Sequence, residues 1–200
     1  MAPPDLEGAC NYALERLRRE LPPSLVYHSL SHTQDEVVPA VERLAGLSGV
    51  SGGDLLLLRT AAYYHDLGFI VQRHDHEHVS AQLARAVLPR FGYGPGEVTR
   101  IVAMIYATRL PQRPRDLLEQ LLADADLDLL GREDFLARNE DLRRELAAGG
   151  QTMSDATWLT GQLRFLAGHR YWTAAARALR DRGKAANRRA LRALLKRASA

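Results

Sequence analysis

The stretch EVTRIVAMIYATR, residues 97–109, sets Val98, Ile101, Val102 and Ile105 at i, i+3, i+4 and i+7. That spacing is one face of a helix buried on one side. The same period extends outward from it in both directions. Upstream, Asp54 reads as the N-cap of a helix that reaches His65-Asp66, with Gly68 at its end. Before it, one helix is expected from Asp5 to about Glu20, stopped by Pro22-Pro23. Another begins near Ser31 and carries Val37, Val38, Val41 and Leu44, with Pro39 predicted to kink it. QRHDHE, residues 72–77, reads as an exposed loop leading to a helix from about Glu77 to Phe91. Downstream, Leu117, Leu118, Leu121, Leu122, Ala125 and Leu129 mark a helix that Gly131 ends. Further helices are expected near 133–147, 154–168 and 170–198. No alternating run is long enough for a strand, so the fold class is all-α, a compact multi-helix bundle.

Composition narrows the function. Two hundred residues and 22.3 kDa fit one domain, large enough to bury about 70% of the unfolded surface without a disulfide or structural metal. The expected domain is therefore 1–200, with a core over about 25–175. No apolar run approaches a membrane span, which excludes that class of partner. The opening MAPPDLEGAC lacks a basic n-region and an apolar h-region, so no secretory signal is expected. The lone Cys10 cannot form an internal disulfide, and a reducing cytoplasm is the expected compartment. From Arg177 onward nine basic residues face one acid, Asp181; against +3 for the whole chain, the remainder carries −5. Leucines recur among those arginines, so the segment reads as amphipathic helix, with no nucleic-acid partner expected. No feature of the sequence specifies an oligomeric state.

Four places gather metal-binding residue types: His28 and His32, His65-Asp66, the run His74 to His78, and Asp124-Asp126-Asp128. His65 shares a helix face with Leu58, Ala61 and Ala62. Asp66 follows with Ala62 one turn back, and a carboxylate near an apolar face is costly unless paired or bound to a cation. Taking about 100° per residue from Leu118, Leu122 falls at about 40°, Asp126 at about 80° and Leu130 at about 120°. Asp126 thus sits between leucines at the edge of the buried face. Asp124 and Asp128 fall on the opposite edge, where a surface reading suffices, although Asp124 remains the second choice. Imidazole nitrogen with carboxylate oxygen suits Mn, Fe, Co, Ni or Zn better than Mg.

In order, His32, His65-Asp66 and Asp126 resemble the H…HD…D signature of the HD-domain metal-dependent phosphohydrolase superfamily. The contexts YHSLSHT (27–33), AAYYHDLGF (61–69), HEHVSAQLA (76–84), MIYATR (104–109) and LLADADLDLLG (121–131) are similar to one subfamily, predicted HD phosphohydrolases with a DADLxxLG segment. NEDLRREL (139–146) and RFLAGHRYW (164–172) extend the likeness to roughly residues 25–175. The resemblance implies His32, His65, Asp66 and Asp126 as ligands of a divalent metal cation, and His28 as a neighbour of the site. Glu77 and Ser80 match a pattern that lines the cleft. Arg109 is a candidate for neutralising substrate phosphate, although Leu110 and Pro111 follow it where related sequences often carry a polar residue. The implied activity is hydrolysis of a phosphate ester, with a nucleotide or related small phosphorylated molecule as substrate. Water activated at the metal would react, and Asp66 would orient it or take its proton.

Two other classes compete with this reading. An HD-type di-iron oxygenase needs further histidine ligands, which His74, His76 or His78 would have to supply. A non-catalytic nucleotide or nucleic-acid binding protein would use the basic C-terminal segment and bind without turnover.

Overall fold

The computed structural model describes residues 3–198. Nine α-helices and no strand occur among them, as the periodicity predicts. They form two compact units, one of residues 3–22 and 28–126, the other of residues 23–27 and 127–198. No helix of the described residues is long and apolar enough to cross a membrane.

The first unit is built around α3, Gly52–Tyr64, which packs against α1 (Leu6–Glu20), α2 (Val38–Leu47), α5 (Pro95–Ala107) and α6 (Leu117–Asp126). Its Leu57, Leu58, Thr60, Ala61, Ala62 and Tyr64 are all buried, and the two alanines keep the helix thin where neighbours approach. The hydroxyls of Thr60, Tyr64 and Tyr93, carried inward, are matched. Tyr64 donates from its hydroxyl to the Ala9 carbonyl at 3.1 Å, and the Thr60 and Tyr93 hydroxyls meet at 2.6 Å. Cys10 lies in the same core, where burial pushes its thiol up to about 12 and makes it a poor nucleophile.

Local boundaries differ from the sequence reading in several places. Ser51 precedes the first turn of α3, and Asp54 sits inside that turn, paired with Arg100 at 2.8 Å. Pro39 stands inside a helical run that is continuous from Leu30 to Leu47, where its missing N–H removes one bond of the ladder. The irregularity expected from it takes the form of a π-helical turn over His32–Val37, just before it, in which Val38 N–H donates to the Thr33 carbonyl. The exposed loop ends at Asp75: His76 already opens α4 (His76–Val87), and Glu77 is buried. Finally, α6 stops at Asp126 and a 3₁₀ turn follows over Asp128–Gly131. Asp124 and Asp128 are buried, so the surface reading of that aspartate run fails.

The second unit holds α7 (Phe135–Ala148), α8 (Asp155–Gly168) and α9 (Ala174–Ala198). Its basic helix α9 is tied down by some of its own charges. Arg180 grips Asp128 with two hydrogen bonds of 2.7 and 2.8 Å, and Asn187 donates to the Leu130 and Arg132 carbonyls. Lys184 is buried, donating to the His169 carbonyl at 2.9 Å with its ammonium 4.8 Å from the Tyr171 ring. The 3₁₀ turn and α9 meet through two glycines. A Cβ on Gly183 would fall 2.0 Å from the Gly131 carbonyl oxygen.

This contact gives a paired prediction. Gly183→Ala gains about 1 kcal/mol of helix propensity yet overpacks against backbone, so urea unfolding should show a net loss of about 1–3 kcal/mol. Gly161→Ala, in α8 with open space around it, should instead stabilise by about 0.5–1 kcal/mol.

Candidate metal centre

The site lies within the first unit, where the chain twice abandons regular α-helix. His32 sits in the π-helical turn before α2. His65 and Asp66 end α3: His65 keeps helical dihedrals, and Asp66 departs at φ −103, ψ 5 into a 3₁₀ turn over Leu67–Ile70. That departure lets adjacent side chains, normally about 100° apart around a helix, converge on one point. Asp126 ends α6 and turns toward the same place.

His32, His65 and Asp66 each offer a donor atom, and the three atoms lie within 4.8 Å of one another with all three residues buried. His32 Nε2 is 3.6 Å from Asp66 Oδ2 and 3.4 Å from Asp126 Oδ1. His65 Nε2 is 3.3 Å from Asp66 Oδ2 and 3.5 Å from Asp126 Oδ1. The four residues resembling the HD signature are thus brought together.

Each imidazole is held from behind. His65 Nδ1–H donates to the Ala62 carbonyl at 2.7 Å, and His32 Nδ1–H donates to Glu36 Oε2 at 3.1 Å. In the neutral ring this leaves Nε2 as the bare nitrogen, facing the centre, as metal-binding histidines are oriented. His65 Nε2 and Asp66 Oδ2 are nonetheless buried without a properly aligned hydrogen bond despite their 3.3 Å separation. Two such orphaned atoms cost about 1–3 kcal/mol each. A cation among them would satisfy both, so the donor set fits a metal.

The titration behaviour has the same origin. Burial pulls the His32 pKa down, but hydrogen bonds to Asp126 and Glu36 and the charges of Asp66 and Asp126 overcome it and hold the ring at about 9. His65 is likewise raised well above its usual range: burial opposes, and the Asp66 charge with the nearby Asp126 carboxylate prevails. Burial would raise both aspartates, yet His65 and His76 hold Asp66 well below the carboxylate range, and His32 with His65 holds Asp126 at about 2. Without an ion, protons on the imidazoles balance the carboxylates.

His76 joins this cluster, although the sequence reading weighed it only as an extra ligand in a competing class. Its Nδ1–H donates to the Arg73 carbonyl at 3.2 Å, and its Nε2 lies 3.3 Å from Asp66 Oδ1. A close backbone contact brings it there. A Cβ on Gly68 would stand 2.0 Å from the His76 carbonyl oxygen, and Gly68 N–H donates to Ser80 Oγ at 2.7 Å. Only glycine lets the start of α4 sit on the 3₁₀ turn. Asp75 enters α4 at φ 57, a left-handed conformation that aspartate tolerates better than most residues. The sequence signal for His76 was Gly68 after His65-Asp66 together with Ser80 one turn beyond it.

The remaining expected residues lie at one remove. Phe69 stacks between His28 and His76, with centroids 4.3 and 3.9 Å away. Glu77 Oε2 is 3.7 Å from His76 Nδ1. Arg109 turns to Asp75, with Nη2 2.9 Å from Oδ1, close enough for an ion pair though not aligned as a hydrogen bond. His74 and His78 are exposed.

Residues 36–128 match the family model of the HD domain, a span that contains His65, Asp66 and Asp126 and begins four residues after His32. No curated protein matches the chain. Among solved structures, that of a predicted HD superfamily hydrolase from an uncultured Thermotogales bacterium shares the fold. It has a TM-score of 0.65 at 20% identity, over 97% of this chain and 93% of that one. The chain is thus similar to the HD domain over residues 36–128, and its buried His-His-Asp cluster lies at the end of α3.

Proposed function

We propose that this protein is a metal-dependent hydrolase of phosphate esters, acting on a nucleotide or related small phosphorylated molecule. The observation that carries the reading is the convergence of His32 Nε2, His65 Nε2, Asp66 Oδ2 and Asp126 Oδ1 with two of those atoms orphaned. These four residues would hold one divalent ion, and two imidazoles with two carboxylates suit Mn, Fe, Co, Ni or Zn better than Mg. Such an ion supplies Lewis acidity, lowering the pKa of a water and drawing charge from a phosphoryl oxygen.

The chain's own contributions follow from Asp66. Its Oδ2 faces His32 and His65, while Oδ1 faces His76. These contacts on both oxygens support Asp66 as the residue that would bind the ion and also orient a water or accept its proton. His76 and Glu77 steady that carboxylate from the α4 side. Arg109 contributes positive charge beyond Asp75.

The contact of His76 with Asp66 also favours a second reading in one respect, because a carboxylate with histidines on both oxygens is able to bridge two ions. An oxygenase of this kind needs further histidines, and the neighbouring His74 and His78 are exposed, with His78 Nδ1 engaged by the Tyr106 hydroxyl at 2.9 Å. Hydrolysis is the reading retained. A phosphoester panel with each candidate ion should release phosphate, whereas oxygen consumption without phosphate release would replace the hydrolase by the oxygenase.

His65→Ala and Asp66→Ala should each remove most bound divalent metal, read by elemental analysis, while helical circular dichroism persists. Full occupancy in both variants would sink the ligand set. Asp126→Asn should lose metal or activity by orders of magnitude. Asp124→Asn should be milder, within the roughly 10–100-fold range of an outer-shell change.

The pKa values give a pH signature. Metal-free His32 binds its proton more tightly folded (about 9) than at its ordinary 6.5. Its stabilisation is therefore complete below 6.5 and is lost as pH rises through 9. Asp126 contributes above its ordinary 3.8, and that contribution is lost as pH falls through about 2. An ion must displace the imidazole proton, so the rise in Tm on adding metal should grow between pH 6.5 and 9. A gain that shrinks over this window contradicts the imidazole ligands.

A further inference from the structure

Four arginines of the first unit line one cavity of about 520 Å3: Arg85 on α4, Arg109 just beyond α5, and Arg113 and Arg115 in the segment leading to α6. Some guanidinium groups of this unit find carboxylates, as Arg59 does with Glu42 and Arg100 with Asp54. Around this cavity only Arg109 does so, with Asp75. Among the described residues, the side chains of Arg85, Arg113 and Arg115 form no ion pair. One acid is part of the wall, Glu119, and it is buried and already committed: its Oε2 accepts the Arg115 backbone N–H at 2.7 Å.

Between the cations the wall is apolar and aromatic, formed by Val102, Ala103, Pro111 and the Tyr106 ring. The Tyr106 hydroxyl is held 2.9 Å from His78 Nδ1, which fixes the ring's tilt. Gathering unpaired guanidinium groups raises the local potential, and an anion relieves it. Their planar forks match phosphate oxygens, and they stack on flat rings as well. The volume falls within the range of about 300–1,000 Å3 usual for small-molecule sites.

We propose that this cavity binds a mononucleotide-like anion, a planar ring bearing a phosphate, at a site separate from the buried His–Asp cluster. None of the cluster's members lines it. The proposal stands whether or not the cluster hydrolyses phosphate esters.

Calorimetry with AMP on the whole chain tests it, alongside two variants whose circular dichroism is checked. Arg85→Ala/Arg113→Ala should weaken AMP at least about tenfold, since each lost charge-assisted bond to phosphate is worth about that factor. Asp66→Asn should leave AMP affinity unchanged. Adenosine, which lacks the phosphate, should bind at least about tenfold more weakly than AMP to the wild type. Pyrophosphate, which lacks the ring, should also bind more weakly. Unchanged affinity in the arginine variant overturns the proposal, as does no AMP binding to the wild type. Loss of AMP binding in Asp66→Asn alone would place the ligand at the cluster, and equal affinity for adenosine or pyrophosphate would remove one half of the recognised chemistry.

Discussion

The constraint on which the first unit turns is the burial of the Asp66 carboxylate. An ionised carboxylate moved out of water costs several kcal/mol even after relaxation, and only close positive or hydrogen-bonding partners offset that. Asp66 is 5% exposed, and its partners come from three separate segments: His32 before α2, His65 beside it, and His76 at the start of α4. Each segment distorts locally to deliver its imidazole, by a π-helical turn, by a helix end and by a left-handed entry. Strain of this kind concentrates where a fold serves a site.

The same constraint explains why the backbone leaves so little room around the centre. Gly68 has no side chain because the first carbonyl of α4 occupies that space, and Ser80 caps the contact by accepting the Gly68 N–H. The two alanines near the end of α3 let α5 and α6 approach the helix that ends in His65 and Asp66. The Nδ1 partners of the three histidines then leave Nε2 as the inward atom in each ring. Packing and chemistry are satisfied by the same choices.

Much of this was legible in the sequence, and the exceptions have physical reasons. Period 3.6 identified the helices, and the phase of α6 singled out Asp126, which lies 3.4 and 3.5 Å from the Nε2 atoms of His32 and His65. Both aspartates that the helical phase put on the opposite edge are buried: past Asp126 a 3₁₀ turn redirects the chain, which buries Asp128 on Arg180. Asp124 is buried too, because the apolar face of α6 is wider than its leucines alone indicate. His76 was hidden by its neighbours, since a run of His74, Asp75, His76, Glu77 and His78 reads as a solvated loop. Only the close contact at Gly68 singles out the middle histidine. Arginine richness was likewise uninformative by count. In the structure some of those residues hold it together, as Arg59 and Arg180 do, and three without an ion pair, Arg85, Arg113 and Arg115, gather around one cavity.

We propose the four converging side chains as a metal-binding set. Anomalous diffraction from crystals of protein purified without chelator tests it most directly, because it locates the ion and identifies the element at once. The account predicts a single dominant peak bounded by His32 Nε2, His65 Nε2, Asp66 Oδ2 and Asp126 Oδ1, at the absorption edge of a transition metal. A crystal with those four atoms unliganded, and its metal bound elsewhere or absent after soaking with Mn, Fe, Co, Ni and Zn, would contradict it.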